Sequence, residues 1–136
     1  MAERELFKGA HMRLAIQNAT ARRVLFTFDN WAKDRSFWDQ AHEGTTYTDR
    51  GFAHVRLTTR ANDWYLNPDL APVLAAAESV SRDYHARHGL AFSMGGYGLM
   101  LLSRVIAFDQ TLFFSPHTSH GFGIGPTDPR FPADFA

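Results

Sequence analysis

Five stretches of the chain have the pattern of apolar and polar residues that β-strands show. Residues 12–16 alternate between the two classes, as a half-buried edge strand does. Residues 24–28 are almost continuously apolar, which favours a strand covered on both faces. Residues 53–59 alternate again, residues 90–92 predict a minimal strand, and residues 111–114 predict another buried one.

Two helices are predicted between these strands. Asn67-Pro68 is a typical helix start, with Asn as the cap and Pro at the first helical position. Apolar residues then recur every three to four positions as far as Tyr84, which predicts a helix with one face on the core. The second helix opens at Gly95 and continues to Val105. Residues 32–48 support only a short helix or an ordered loop.

Strands that alternate with helices predict an α/β fold, here a three-layer, mostly parallel sheet with helices on both faces. The length fits a single domain, residues 1–136, with an irregular tail over about 119–136. Ligands of such sheets bind beyond the carboxyl ends of the strands. The segments expected there form one candidate site: residues 29–31, 62–65, 93–95 and 115–117.

Composition narrows the classes of function. Fourteen basic residues balance fourteen acidic ones, so no overall field attracts nucleic acid or an anionic membrane. The start of the chain lacks the apolar stretch of a signal peptide, and no run approaches the length of a membrane span. We therefore expect a soluble, cytoplasmic protein. The absence of cysteine excludes disulfides, thiolate metal sites and cysteine nucleophiles.

A small-x-Ser-x-Gly pattern connects the predicted strand at 90–92 to the second helix. This pattern is typical of a nucleophile elbow, a sharp turn that presents a serine at the edge of the sheet. Small residues are expected at Ala91 and Gly95 because larger side chains would collide with neighbouring backbone. Ser93 is then the predicted nucleophile, and the amide of Met94 the predicted oxyanion donor, assisted by the helix dipole.

A second oxyanion donor is expected from the loop that follows the strand at 24–28. Either a backbone amide at Asp29 or the side chain of Asn30 could supply it. Three aromatic residues are predicted to contact substrate near these loops, Trp31, Trp64 and Tyr97, although aromatic side chains of a small domain also serve as core.

Four segments of the chain resemble, in order, the landmarks of bacterial α/β-hydrolase-like proteins. They are residues 26–31, 62–65, 92–98 and 114–116, and the resemblance extends over about 24–118. It implies a reduced α/β-hydrolase-like core, with Ser93 at the nucleophile position. It does not imply a particular substrate.

A serine nucleophile requires a base and an orienting acid. In α/β-hydrolases the acid and then the histidine follow the serine, but here the short remainder leaves room for only one more strand and a tail. His117, just beyond the strand at 111–114, is the candidate base, and Asp128 the candidate acid. His117 could also be a loop histidine without a catalytic role. Other candidates for the acid are Asp29, Asp63 and Asp134.

Histidine pairs raise the alternative of a metal site. His117 and His120 could be joined by His85 and His88, but no H-E-x-x-H pattern is present. His85 and His88 are expected at the end of the first helix, where a charged imidazole is stabilised by the helix dipole. We therefore expect neither a metal nor another cofactor.

These observations predict a small, esterase-like serine hydrolase that acts on a small-molecule ester through an acyl-enzyme on Ser93. The alternatives are a catalytically degenerate hydrolase-like domain that binds a ligand or a partner, and a fragment of a longer hydrolase. The strand at 111–114 is too apolar for an exposed edge, so either the tail covers it or a second copy of the chain pairs with it, and we expect a homodimer.

Overall fold

A computed structural model of the chain describes residues 3–29, 31 and 44–114. Within these residues the chain forms six strands, two α-helices and one short 3-10 helix. In chain order the elements are β1 (Arg4–Lys8), β2 (Met12–Gln17), β3 (Arg23–Phe28), the 3-10 helix (Thr48–Arg50), β4 (Phe52–Thr59), α1 (Leu70–Ser81), β5 (Ala86–Phe92), α2 (Gly95–Leu102) and β6 (Gln110–Phe114).

The six strands form one mixed sheet in the order β1-β2-β4-β3-β5-β6. The strands β4, β3, β5 and β6 are parallel, whereas β2 is antiparallel to both of its neighbours. The predicted α/β fold with a mostly parallel sheet is therefore confirmed. Strands β3, β4 and β5 all end on one side of the sheet, which we call the carboxyl edge. They begin on the opposite side, which we call the amino edge.

The hydrophobic core lies on one face of this sheet. Alternate residues of β3, Val24, Phe26 and Phe28, lie beside Val55 and Leu57 of β4, and all five are more than nine-tenths buried. Helices α1 and α2 pack on the sheet and also contact each other, so they cover the same face. In the described part of the chain the helices thus lie on one face, where the sequence predicted helices on both.

The direction of the connections explains this difference. Right-handed crossovers that run in opposite directions across a parallel sheet lie on opposite faces. Helix α1 belongs to the β4–β5 connection, which crosses the sheet in the direction of β6. The β3–β4 connection crosses it in the direction of β1, and it includes residues 32–43, which are outside the described residues.

The chain begins with a hairpin of β1 and β2, of which the sequence predicted only the second strand. The strand β2 is not an edge strand, because it pairs with β1 on one side and β4 on the other. The strand β1 shows no alternation of apolar and polar residues, since Leu6 and Phe7 are adjacent and Arg4, Glu5 and Lys8 around them are exposed. Such charges are typical of an edge strand, where they oppose pairing with other chains.

Helix α1 begins three residues after the predicted cap. The side chain of Asn67 accepts a hydrogen bond from the amide of Asp69 (2.9 Å) in a turn before the helix. Asp69 occupies the cap position, but its carboxylate accepts instead from the amides of His11 (2.6 Å) and Met12 (2.9 Å). The start of α1 is therefore determined by its attachment to the β1–β2 turn.

The strand β5 is longer than the predicted three residues, and Gly89 lies inside it. A Cβ at Gly89 would lie 2.4 Å from a terminal carbon of Leu99, so the glycine lets α2 approach the strand. His85 and His88 consequently do not lie at the end of a helix. His85 precedes β5 at the amino edge, and His88 is within the strand.

Candidate active site

The turn between β5 and α2 has the geometry of a nucleophile elbow. Ser93 follows the strand directly and has a left-handed backbone, with φ at 52°. This conformation is rare for a residue with a side chain and costs on the order of 1 kcal/mol or more. The amide of Ser93 donates to the carbonyl of Phe114 (2.9 Å), which extends the β5–β6 pairing up to the turn.

Two glycines of α2 permit the close approach of helix and sheet that this turn requires. A Cβ on Gly95 would lie 3.0 Å from the Cβ of Phe28 and 3.2 Å from the carbonyl oxygen of Asp29. A Cβ on Gly98 would lie 2.9 Å from the Phe28 ring and 3.0 Å from the ring of Tyr65. The small residue predicted at Gly95 is therefore required, because a side chain there would collide with the end of β3.

The amides at the start of α2 differ in whether they are already hydrogen-bonded within the described residues. The amide of Gly96 donates to the Ser93 carbonyl (3.0 Å) and that of Tyr97 to the Met94 carbonyl (3.0 Å). The amides of Met94 and Gly95 donate to no residue in the part of the chain that the structure describes. Unpaired amides at a helix N-terminus carry partial positive charge and attract an anion.

Asp29 directly follows β3, but its polar groups are used to hold the loops together. Its amide donates to the carbonyl of Leu57 (3.3 Å), and its carboxylate accepts from the amide of Thr59 (3.0 Å). Its carbonyl accepts from the hydroxyl of Tyr65 (2.8 Å). The expectation that the Asp29 amide serves as an oxyanion donor does not agree with this geometry. The other candidate in this loop, Asn30, lies outside the described residues.

Asp63 holds together the loop between β4 and α1. From the sequence, this residue was predicted only as a possible orienting acid. Its carboxylate accepts from the Thr59 hydroxyl (2.8 Å), the Tyr65 amide (3.0 Å) and the Asn67 side chain (2.8 Å). The sequence does contain a signal for this role, an aspartate beside turn-forming residues. The side chain of such an aspartate accepts hydrogen bonds from backbone amides close by in the chain. Asp63 is thus a structural centre of this loop.

Two buried aromatic residues follow Asp63 in an unusual backbone conformation. Trp64 and Tyr65 both have positive φ, 59° and 63°, and each is at most 1% exposed. The ring of Trp64 meets that of Tyr97 edge to face at 6.2 Å, and the ring of Tyr65 meets that of Phe28 at 6.1 Å. Trp64, predicted to contact substrate, is therefore a core residue that supports α2.

The remaining aromatic candidates occupy less buried positions. Tyr97 lies on α2 one turn after Ser93 and is partly buried, with Trp64 against its ring. Trp31 is partly buried and packs against the core near the end of β3. Both are close in sequence to the turns at the carboxyl edge.

The hydroxyl of Ser93 has no hydrogen-bond partner among the residues that the structure describes. The predicted base and acid, His117 and Asp128, lie outside those residues. The described histidines lie elsewhere: His54 and His88 are inside strands, His85 is at the amino edge, and His11 precedes β2, three strands from β5. Asp29 and Asp63, the described candidates for the acid, have the structural contacts given above.

The position of β6 bears on the predicted base. This strand pairs with β5 in parallel register, with Phe114 opposite Phe92, and the two rings stack at 4.8 Å. The strand before His117 is therefore the direct neighbour of the strand before Ser93. The chain therefore leaves β6 directly beside the turn that carries Ser93.

Neither helix in the described part of the chain is long and apolar enough to cross a membrane. Over residues 3–29, 31 and 44–114, no three histidine, aspartate or glutamate side chains come together as metal ligands. Comparison of the chain with protein-family models, with curated proteins and with solved structures found no match.

Proposed function

We propose that the chain is a small serine hydrolase with a reduced α/β-hydrolase-like core, acting on a small-molecule ester through an acyl-enzyme on Ser93. The observation that carries this proposal is the left-handed backbone of Ser93 between a strand and a helix. Backbone strain of this kind clusters at active sites, and a strand-turn-helix setting is the context in which the small-x-Ser-x-Gly pattern has its catalytic meaning.

The surroundings of the turn support an oxyanion site. The amide of Met94, the residue after the nucleophile, has no partner among the described residues and is the donor that this chemistry requires. A second donor in hydrolases of this kind comes from the loop after the third strand. Here that loop begins at Asp29, whose carbonyl lies against Gly95. Since the Asp29 amide is already bonded, we propose Asn30 as the second donor.

In the proposed reaction His117, oriented by Asp128, accepts the proton of the Ser93 hydroxyl as the oxygen attacks the ester carbonyl. The negative charge on the carbonyl oxygen is stabilised by the Met94 amide and by Asn30. The acyl group remains on Ser93 while the alcohol leaves with the proton from His117. Water then attacks the acyl-enzyme by the same route and releases the acid. The course of β6 towards Ser93 supports His117 as the base.

Labelling with a fluorophosphonate probe tests the nucleophile. The wild-type chain should be labelled and Ser93→Ala should not, because the probe phosphonylates an activated serine. Ser103→Ala is a matched control, since its hydroxyl only bonds the carbonyl of Leu99 within the last turn of α2 (2.8 Å). Labelling of Ser93→Ala as strong as that of the wild type would contradict the assignment.

His117→Ala tests the base in the same assay. We expect labelling to slow by about 100-fold, the usual contribution of a general base. Unchanged labelling of His117→Ala would show that another group activates Ser93. If the folded wild-type chain is not labelled at all, the hydrolase proposal is wrong, and a ligand-binding or partner-binding domain with a degenerate site becomes the better interpretation.

We also propose that two chains associate along β6. Leu112 and Phe114 on this strand are 54% and 44% exposed, which is unusual for large apolar residues of an edge strand. Light scattering should give the mass of a dimer, and Leu112→Lys should reduce it to that of one chain. Val105→Lys, at an exposed position beyond α2, is the control. A wild-type mass of one chain would contradict the pairing.

A further inference from the structure

A basic cleft lies at the amino edge of the sheet, at the opposite end of the strands from Ser93. It has a volume of about 530 Å³ and is lined by Arg22, Arg23, Gly51 and His85. These residues stand at the starts of β3, β4 and β5. Since β5 has seven residues, the cleft is roughly 25 Å from the elbow. It is therefore separate from the proposed active site.

The cleft has a local excess of positive charge although the chain as a whole is neutral. Three of its four lining residues are basic and none is acidic. The guanidinium of Arg22 makes no hydrogen bond or ion pair within the described residues. Its five N–H donors are thus available to a ligand.

The other side of the cleft is preorganised. The guanidinium of Arg23 donates to the carbonyl of Arg50 (2.7 Å) and lies 4.1 Å from the centre of the Phe52 ring, in a cation–π contact. These contacts use part of its donor set, and no carboxylate of the described residues pairs with its charge. Arg23 is consequently held in one position at little further entropic cost on binding.

The backbone joins the walls of the cleft and keeps it open. The amide of His85 donates to the carbonyl of Arg22 (2.9 Å), so the backbones of these two residues are held at adjacent positions. Gly51 has φ of 86°, and a Cβ placed on it would meet only the Arg23 guanidinium, at 3.5 Å. A larger residue there would be strained and would occupy space at the cleft.

We propose that this cleft binds a small soluble phosphate monoester. Two guanidinium groups and an imidazole N–H offer donors to the three terminal oxygens of a phosphate, and arginine matches phosphate geometry in a bidentate manner. The volume exceeds that of a bare phosphate, so the open cleft has room for an organic group beyond the phosphate.

The proposal is tested by titrating ¹⁵N-labelled protein with phenyl phosphate at constant ionic strength while amide shifts are recorded. Saturable shifts are expected at Gly51, Arg23 and His85. Arg22→Gln should weaken binding by about tenfold, because the variant loses a charge-assisted contact to the phosphate but no contact of the Arg22 guanidinium with the described residues. Arg104→Gln, at an exposed position after α2, should leave the affinity unchanged. His85→Gln is a second variant that does not disturb the Arg23 stack.

Several results would overturn the proposal. They are shifts that do not saturate, equal affinity in Arg22→Gln and the wild type, and benzoate binding as tightly as phenyl phosphate.

A lipid headgroup is distinguished by pelleting with vesicles that contain phosphatidate. Phosphatidate-dependent pelleting without any response to phenyl phosphate would replace the soluble ligand with a membrane surface. None of these measurements depends on Ser93 being a nucleophile.

Discussion

The two edges of the parallel strands differ in how their side chains and backbone are arranged. At the carboxyl edge Ser93, Trp64 and Tyr65 have strained backbones, and buried aromatic contacts hold the loops in place. At the amino edge the side chains of Arg22 and His85 are exposed around an open cleft. Substitutions at the first edge should therefore change stability and geometry together. Substitutions at the second should change ligand affinity with little effect on the fold.

The largest effect is expected from Asp63→Ala. This change removes the acceptor for three hydrogen bonds in a partly buried loop, including the bond to the amide of Tyr65. The free energy of unfolding should fall by about 3 kcal/mol, since several donors lose their partner together. Urea denaturation measures this, with the exposed Asp83→Ala as the control. A loss below about 0.5 kcal/mol would show that Asp63 does not organise the loop.

Gly98→Ala is the next test of the carboxyl edge. The new methyl group would meet the rings of Phe28 and Tyr65 at about 3 Å, and both rings are buried and unable to move away freely. We expect a loss of about 1–3 kcal/mol in stability. Fluorophosphonate labelling of Ser93 should slow as well, because α2 is displaced. Thermal and urea denaturation of Gly98→Ala with an unchanged midpoint would contradict the tight packing.

The energetic cost of the left-handed backbone at Ser93 can be measured by comparing two variants that both lack the hydroxyl. Ser93→Gly should be more stable than Ser93→Ala by about 1 kcal/mol, because glycine adopts the left-handed backbone without steric cost. The comparison is made by urea denaturation of the two proteins under identical conditions. Equal midpoints, or a more stable alanine variant, would argue against backbone strain at the elbow.

The smallest effect concerns Tyr84, just before β5. Burial raises the pKa of the Tyr84 hydroxyl above its usual value of 10, Asp83 adds to the increase, and Arg4 opposes it. A raised pKa in the folded state means that the neutral form is stabilised below pH 10 and that this contribution is lost as the pH rises through the folded value. Its hydroxyl donates to the Ala19 carbonyl (2.7 Å), a bond that ionisation would break.

In Tyr84→Phe the free energy of unfolding should therefore decrease less steeply as the pH rises in the alkaline range. Urea denaturation between pH 8 and pH 11 should show a shallower decline for this variant than for the wild type. Tyr47→Phe, on the other side of the sheet beside His54, serves as the control. Identical slopes for Tyr84→Phe and the wild type would contradict the contribution of Tyr84.

The strands β3 and β4 were predictable nearly to the residue, because each is buried on at least one face and its apolar period is uninterrupted. The strand β1 was not, because its charges obscure the alternation, and Gly89 concealed most of β5. At the site, the turn around Ser93 was predictable from its small residues. The bonds of the Asp29 amide and carboxylate were not, since both partners lie about thirty positions away in the chain.

The sequence by itself determined the types of the main elements and the elbow turn, because strand period, helix period and a small-x-Ser-x-Gly turn depend on residues close together in the chain. Only the tertiary structure decided the order of the strands, the placement of α1 and α2 on one face, and the left-handed pair Trp64 and Tyr65. It alone brought Arg22, Gly51 and His85 into one cleft. These features depend on packing and hydrogen bonds between distant segments, which local patterns do not encode.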